Sequence, residues 1–376
     1  MAIYFALIFI ILLAPRGIQA IVKNERQAKK ISLIISFFAI LLVCVLRAHT
    51  VGRDILGYKT MYDSYARIST ISQMDLYWTE PGYELLEMVC KHYLRLDWQV
   101  FMGIIYTYCM ISYFLFIKRY SEDYSLSLLT YVCFSFFVFD LSAIRNMMGL
   151  ATCLWAYPFI EKKNIKSFIL FLLVVLVAVQ FHLSAYMFLL IYVITVIPFN
   201  RLTSIFYLFA PIFIFAFRSS IMSFVIATFK EHSVDQGISL GGNAIFYLIV
   251  LLFGVYEWYL EQNGKPDRYS LHDRSLPTCA SAAQNQQMMF NYPLKIFYFS
   301  SVMMIFVGEN TLVRVAQYGL IFMIILLPNM VSRLQEKDRV LVKGIAISFL
   351  IFYFYYYKLR LNDLDILPYR FFWEVS

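Results

Sequence analysis

Long apolar runs separated by short polar turns dominate this chain. They cover residues 2–22, 31–48, 100–117, 124–141, 146–160, 166–181, 183–199, 203–217, 244–261, 293–308, 312–331 and 341–357. A helix needs about 20 mostly apolar residues to cross a bilayer, so the pattern predicts roughly twelve transmembrane helices and an all-α, polytopic fold. Ser219–Phe229 reads as a further half-span or a surface helix. Two polar segments interrupt the runs. Residues 49–99 contain Gly52-Arg53-Asp54, Tyr58, Tyr62, Tyr65 and Glu80-Pro81-Gly82-Tyr83. They end in an amphipathic stretch, Tyr83–Leu96, with Leu85, Leu86, Val89, Tyr93 and Leu96 at helical spacing and Pro81 placed to open the helix. Residues 262–292 read as a loop, with Gly264, Pro266, Pro277 and the polar run Gln284-Asn285-Gln286-Gln287. Residues 1–376 then form a single integral membrane domain, with no repeat at 20–50-residue spacing.

Composition agrees. The chain is 61% hydrophobic and only 15% charged, which excludes an ordinary soluble domain. Ile3–Ala14 has no basic stretch before it and no small-residue cleavage site after it, so it reads as a retained span. The net charge of +8 fits cytoplasmic loops and membrane lipid better than nucleic acid. With the N-terminus outside, the short inside loops collect Lys23, Arg26, Lys29, Lys30, Lys118, Arg119, Lys162, Lys163, Lys166 and Arg201, with further basic residues from Lys265 to Lys343. Arg145, Arg218, Lys230 and Arg314 fall in short outside loops. This asymmetry favours both termini outside, residues 49–99 as a large outer loop and residues 262–292 as a cytoplasmic one. Cys44, Cys90, Cys109, Cys133, Cys153 and Cys279 show no zinc or disulfide spacing and read as small hydrophobes.

The candidate chemistry lies at one face. Counting spans places Arg145, after Tyr124–Leu141, and His182, after Lys166–Phe181, on the same side of the membrane. Ionisable groups at that depth are costly and mark function by default. The same face gathers Arg53, Asp54, Glu80, Asp140, Glu309, Asn310 and Arg314. Arginines bind phosphate oxygens bidentately and stabilise charge on a departing diphosphate. His182, Asp54 or Glu309 can accept a proton from an attacking hydroxyl. Together these suit glycosyl transfer from a lipid diphosphate, with no metal and no cofactor. Tyr58, Tyr62, Tyr65, Trp78, Tyr83 and Trp98 can stack on sugar rings or form an interfacial belt. Against a functional role, an arginine at a span end also snorkels or caps a helix C-terminus, as Arg47, Arg218 and Arg314 each can. Likewise His182 beside Ser184 can bond a neighbouring helix, and Asp140 can pair locally with Arg145. Asp363-Leu364-Asp365 matches a metal-binding D-x-D pattern that carries little weight in an outer tail.

The same residues resemble a known family, the EpsG-like polysaccharide polymerases, which are similar in role to Wzy O-antigen polymerases. Val51-Gly52-Arg53-Asp54 with Tyr58 and Tyr62, then Glu80-Pro81-Gly82-Tyr83, resembles that family's first outer loop. Ala143-Ile144-Arg145-Asn146, Gln180-Phe181-His182-Leu183-Ser184, Arg314-Val315-Ala316-Gln317-Tyr318 and Leu367-Pro368-Tyr369 resemble its later motifs, in order. Asn146 replaces the usual glutamine, and Gly319 stands where an aromatic residue often follows Tyr318. The resemblance implies a metal-independent, GT-C-like membrane glycosyltransferase. It would join repeat units carried on undecaprenyl diphosphate at the outer face of the inner (cytoplasmic) membrane. A chain-length regulator and a flippase are implied partners, and nucleic acid is not. By motif, Arg145, Arg314, His182 and Asp54 are the catalytic candidates, and Arg53, Glu80, Tyr58 and Tyr318 the substrate-binding ones. An O-antigen ligase shares the donor and the same arginine and histidine logic. A flippase would line a mid-membrane cavity instead, and a membrane acyltransferase would place its histidine toward the other face.

Overall fold

The computed structural model describes residues 1–67, 80–162, 164–197, 242–262, 287–304, 310–362 and 364–375, and single positions at 209, 213, 216, 217 and 220. The described residues are helical and form no strand, only an isolated antiparallel bridge between Arg47 and Phe371. Ala2–Ile21, Glu25–Val45, Trp98–Tyr120, Val313–Ser332 and Glu336–Arg360 are each long and apolar enough to cross a membrane. Shorter apolar helices accompany them. The chain divides into two compact units, residues 1–186 with 336–376, and residues 187–335.

The first unit holds α1 (Ala2–Ile21), α2 (Glu25–Val45), α3 (Ile55–Ser64), α4 (Pro81–Met88), α5 (Trp98–Tyr120), α6 (Tyr124–Cys133), α7 (Phe136–Asp140), α8 (Ile144–Ile160) and α9 (Ile165–Val179). α8 is its core. Asn146, Met147, Gly149, Ala151, Cys153 and Ala156 are buried along it, against α5 and α9. Polar pairs fix its rotation on α5: Tyr108 Oη lies 2.7 Å from Thr152 Oγ1, and Trp155 Nε1 donates to Ser112 Oγ at 2.8 Å. At one face of the layer the turns are short, basic and capped. Asn24, Asp123 and Asn164 accept from the backbone N–H of Gln27, Leu126 and Ser167, opening α2, α6 and α9. Each such cap is worth about 1 kcal/mol. Lys343 pairs with Asp123, and Arg119 with Glu161 at 3.6 Å, on that side.

At the opposite face the connections are long and interlocked. Arg47, just past α2, is buried and donates through Nη1 to the carbonyls of Val51 and Leu141 and through Nη2 to Tyr106 Oη. Tyr106 passes its own proton to the Asp140 carbonyl at 2.8 Å. The C-terminal tail closes over this knot. Ala48 N–H donates to Arg370 O, Gly52 N–H to Asp365 O and Arg53 N–H to Leu364 O, all within 2.8–2.9 Å. Gly52 has φ +107°, and a Cβ there would run into the Leu141 carbonyl, so only glycine fits. Arg47 therefore neither snorkels nor caps a helix end; it is a structural clamp.

Several predicted spans change in detail. Residues 124–141 do not form one helix, because Ser135 takes φ +101° between α6 and α7. No glycine or proline signals this break. The carbonyls freed near its end are taken by Arg47 and Tyr106 instead. Residues 183–199 begin as a 3-10 turn, Leu183–Tyr186, before α10 (Met187–Val196). Residues 312–331 are turned at Ile321–Phe322. Of the polar segment 262–292, residues 263–286 lie outside the described residues, and Gln287–Asn291 is already a helical turn. The predicted half-span at 219–229 also lies outside them, except at position 220.

The second unit contains α10, α11 (Gly242–Gln262), α12 (Tyr292–Met303), α13 (Asn310–Leu320) and α14 (Met323–Ser332). Gly319 lets α13 lie directly on α12. A Cβ there would overlap Ser300 Oγ and come 3.1 Å from the Ile296 carbonyl. Glycine at this position, a departure from the family pattern, thus has a packing reason. Lys295 is buried and donates to the Ile197 carbonyl at the end of α10, and Asn329 Nδ2 donates to Met289 O at 2.8 Å. α15 (Glu336–Tyr353), extended by a π-helical turn Phe354–Arg360, returns to the first unit.

Candidate active site

Three of the predicted motifs meet in the first unit, at the face opposite the basic turns. Arg145 lies in the first turn of α8, where the helix dipole disfavours a cation, so it is not there to cap a helix. Its Nη1 donates to Glu80 Oε2 at 2.8 Å, and its guanidinium lies 5.5 Å from the centre of the Tyr58 ring. The Arg145 and Glu80 side chains are 19% and 17% exposed, a pair at the rim of the core rather than deep in it. The other Glu80 oxygen accepts the Leu183 N–H at 3.2 Å. The Gln180 carbonyl in turn accepts the N–H groups of Gly82 at 3.0 Å and Tyr83 at 3.2 Å. A Cβ on Gly82 would lie 2.6 Å from Gln180 Cβ and 2.9 Å from its carbonyl, so α4 can dock this closely only with glycine. Glu80-Pro81-Gly82-Tyr83, Ile144-Arg145-Asn146 and Gln180-Phe181-His182-Leu183 are thereby one constellation. Counting spans placed Arg145 and His182 on a common face, and the structure puts them there.

His182 is held in a way that restricts its chemistry. Its Nδ1 accepts the Ser184 N–H at 3.1 Å. A neutral imidazole used as an acceptor at Nδ1 carries its proton on Nε2, so the ring presents a donor. That suits a phosphate oxygen better than proton abstraction. Asp54 stands at the start of α3, partly exposed, with its N–H on Ser142 Oγ at 3.2 Å. Arg53 is exposed, and its Nε lies 3.6 Å from Asp365 Oδ2. Asp140 does not pair with Arg145; its carboxylate accepts from Tyr131 Oη at 2.8 Å.

Two residues that sequence reasoning passed over lie inside the site. Glu84 and Glu87, one turn apart on α4, are 1% and 0% exposed, whereas Leu85 on the same helix is 44% exposed. α4 is therefore inverted: its carboxylates face the protein and its leucine face looks outward. Neither Glu87 oxygen has a hydrogen-bond partner of normal geometry, and the same holds for the buried Tyr83 hydroxyl next to it. Burial pushes the Glu87 carboxyl up to about 9. Tyr83 and Arg145 pull against that shift, and Glu84 adds to it. Glu87 is thus a neutral acid at pH 7. The signal was present in the sequence as carboxylates opposite the apolar stripe of an amphipathic segment.

Of the aromatic residues proposed to stack on sugar rings, the described ones are packed into the protein. Tyr62 stacks on Phe101 at 4.3 Å, Tyr58 packs edge-on to Tyr83 at 6.0 Å, and Tyr65 and Trp98 are also buried. Trp78 lies outside the described residues, as do Glu309 and Asp363. Arg314 and Tyr318 both lie on α13 in the second unit, Arg314 partly and Tyr318 wholly buried. Among the described residues, no group of three or more His, Cys, Asp or Glu is placed to hold a metal ion.

Residues 30–371 match the model of the EpsG family, nearly the whole chain. The chain belongs to the EpsG family. No curated protein and no solved structure matches it. EpsG proteins are Wzy-like polysaccharide polymerases, so the site just described belongs to a glycosyltransferase-like membrane protein of polysaccharide biosynthesis. The EpsG match spans all of the predicted motifs, from Gly52 to Tyr369. It also covers the C-terminal segment that locks the first long loop. The tail Leu367-Pro368-Tyr369 serves the site indirectly: Tyr369 Oη donates to the Val43 carbonyl at 3.0 Å and its ring packs edge-on to Tyr4.

Proposed function

We propose that this EpsG protein joins oligosaccharide repeat units carried on undecaprenyl diphosphate. The setting would be the outer face of the cytoplasmic membrane, as in O-antigen or exopolysaccharide assembly, and the fold a GT-C-like one of about twelve spans. The observation that carries this is the exchangeable pair between Arg145 and Glu80, with the Nε2–H edge of His182 on the neighbouring loop. A diphosphate can replace Glu80 on Arg145, because each phosphate, like a carboxylate, can offer a pair of anionic oxygens to the guanidinium fork. The exchange does two things together. It fixes the leaving group on a cation, and it frees a carboxylate beside the reacting centre.

The acceptor hydroxyl oxygen then bonds to the anomeric carbon of the donor glycan as the bond from that carbon to the diphosphate oxygen breaks. The bonding pair leaves with the diphosphate, whose growing charge Arg145 and His182 stabilise. The hydroxyl proton passes to a carboxylate, Glu80 or Asp54. Arg53 orients the acceptor sugar, and Tyr58 acts through the loop, its ring lying against Arg145. Arg314 and Tyr318 keep the diphosphate- and substrate-binding roles that the family motif gives them. The basic turns at the opposite face support the outward placement, since Lys and Arg collect in cytoplasmic loops. A flippase would supply the substrate, and a chain-length regulator would act on the product.

The test is the surface-polysaccharide ladder of a deletion strain complemented with variants. Lipid- or core-linked single repeat units without a ladder, restored by the wild-type chain, are expected. Polymer accumulating on the lipid carrier with none at the surface would identify a ligase instead. His182→Gln, which keeps a donor, is expected to retain clearly more polymer than His182→Ala. Equal loss in both would return the base role to His182.

A further inference from the structure

An apolar groove of about 450 Å³ runs along the outward face of α4 and continues down α5 and α8. Leu85, Leu86 and Val89 form one wall, Ile104 and Tyr108 the other, and Met148 the floor. Leu85 and Ile104 are each 44% exposed. Tyr108, the one wall residue with a polar side-chain atom, already has its hydroxyl engaged with Thr152. Gly82 and Phe181 also line the groove. Those two residues stand next to the segments that carry Glu80 and His182, and Met148 lies one turn along α8 from Arg145. The groove thus begins where the charged site ends.

We propose that this groove holds the first isoprene units of the substrate's lipid carrier. The inference rests on the diphosphate site proposed above and assigns it a second, apolar half. The inverted amphipathicity of α4 serves both halves at once. Its carboxylates complete the polar interior beside Arg145, and its leucine face supplies the wall for hydrocarbon.

The chemistry favours an isoprenoid over a phospholipid acyl chain. In a polyprenyl diphosphate the hydrocarbon begins at the atom bonded to the phosphate oxygen, and no polar atom follows. In a glycerophospholipid, two ester groups intervene between phosphate and chain. Those esters would lie against Gly82, Phe181, Leu86 and Met148, whose side chains offer them no hydrogen-bond donor, and burying them there is unfavourable. A pocket of this size lies within the usual range for small-ligand sites, so it takes the head of the chain and leaves the rest in the bilayer.

The experiment uses the purified full chain in phosphatidylcholine–phosphatidylglycerol vesicles. A short polyprenyl diphosphate with a photoreactive diazirine on its second isoprene unit is the probe. Expected labelling falls on the peptides around Leu85–Val89 and Ile104–Tyr108, and excess unlabelled polyprenyl diphosphate removes it, while phosphatidic acid does not. Leu85→Trp and Ile104→Trp, both at exposed positions that folding tolerates, each reduce labelling at least tenfold and shorten the polymer ladder in cells. Labelling spread over the lipid-facing helices, indifferent to both tryptophans or removed equally by phosphatidic acid, overturns the proposal. The polymerase reading fails separately. A full ladder in Arg145→Ala removes that reading. A ladder lost in Arg145→Ala yet complete in both tryptophan variants removes the groove alone.

Discussion

Arg47 and Arg145 are both poorly exposed arginines at the same end of the first unit, yet they are held by opposite means. Arg47 donates to the carbonyls of Val51 and Leu141 and to a tyrosine hydroxyl, neutral acceptors that belong to three separate stretches of chain. Nothing mobile pairs with it, and nothing can replace its partners without unfolding them. Arg145 is paired with a side-chain carboxylate at the rim, beside an aromatic face. That partner can swing away when a better anion arrives. A guanidinium bound to backbone serves as a rivet, and one bound to a carboxylate is a binding site in its resting state.

Substitutions separate the two roles. Arg47→Ala takes the buried donor from the Val51 and Leu141 carbonyls and from the Tyr106 oxygen and is expected to cost about 3–5 kcal/mol, as for other broken buried charged networks. Thermal unfolding in detergent and the protein level in membranes measure it. A variant with native Tm and lost polymer would erase the distinction. Arg145→Ala should do the reverse. The ladder should fall by about 100-fold or more, the scale for losing a group that stabilises a developing anion. The fold should lose only about 1–2 kcal/mol, because a rim pair in contact with water contributes little. Arg145→Lys keeps the charge without the fork and should recover only part of the polymer.

Gly82→Ala sharpens the contrast from the backbone side. Its new methyl forces α4 away from Gln180 by several tenths of an ångström and draws Glu80 off the Leu183 N–H. Polymer output is expected to drop about tenfold, a typical response to a small misplacement of site groups, with the protein still present in the membrane. The smallest effect concerns Glu87, the neutral acid beneath Arg145. Its pKa is raised on folding from an ordinary carboxylate value to about 9. Above about pH 4.5 the unfolded chain releases this proton and the folded chain keeps it. Stability therefore falls as pH rises through that window and levels off above about 9. The groups around it that share in this titration are Tyr83, Arg145 and Glu84. Glu87→Gln, neutral at every pH, is expected to raise Tm by several degrees at pH 8 and to leave it unchanged near pH 4. Equal shifts at both pH values would mean that Glu87 is ionised in the folded protein.

How much of this could be read beforehand depended on what kind of signal each feature leaves. Apolar run length marked most helices, and the placing of Arg145 and His182 at one face followed from counting, because a span reverses the chain each time. The ion pair of Arg145 with Glu80 links residues 65 positions apart, and only packing brings them together. Arg47 looked like a snorkelling arginine because its partners are carbonyls, which every residue has and no sequence advertises. Ser135 broke a predicted span without glycine or proline, and the end of α7 beyond it is held by Arg47 and Tyr106, from elsewhere in the chain. The leucine stripe of α4 was visible, but not which way it would turn. Beside a bilayer an apolar face has two favourable directions, and here the buried carboxylates decide between them.

The knot between residues 47–53 and 364–371 also constrains how the chain is made. Residue 53 leaves the ribosome long before the residues that lock its loop, Leu364 and Asp365, have been synthesised. Because the two segments meet on one side of the helical layer, an even number of crossings must separate them. The first long loop waits, half finished, through the insertion of everything between, and contacts this distant in sequence form late. The loop is thus complete only once residues 364–371 have docked on residues 47–53. A chain truncated before residue 364 is expected to reach the membrane and to give no polymer ladder in cells.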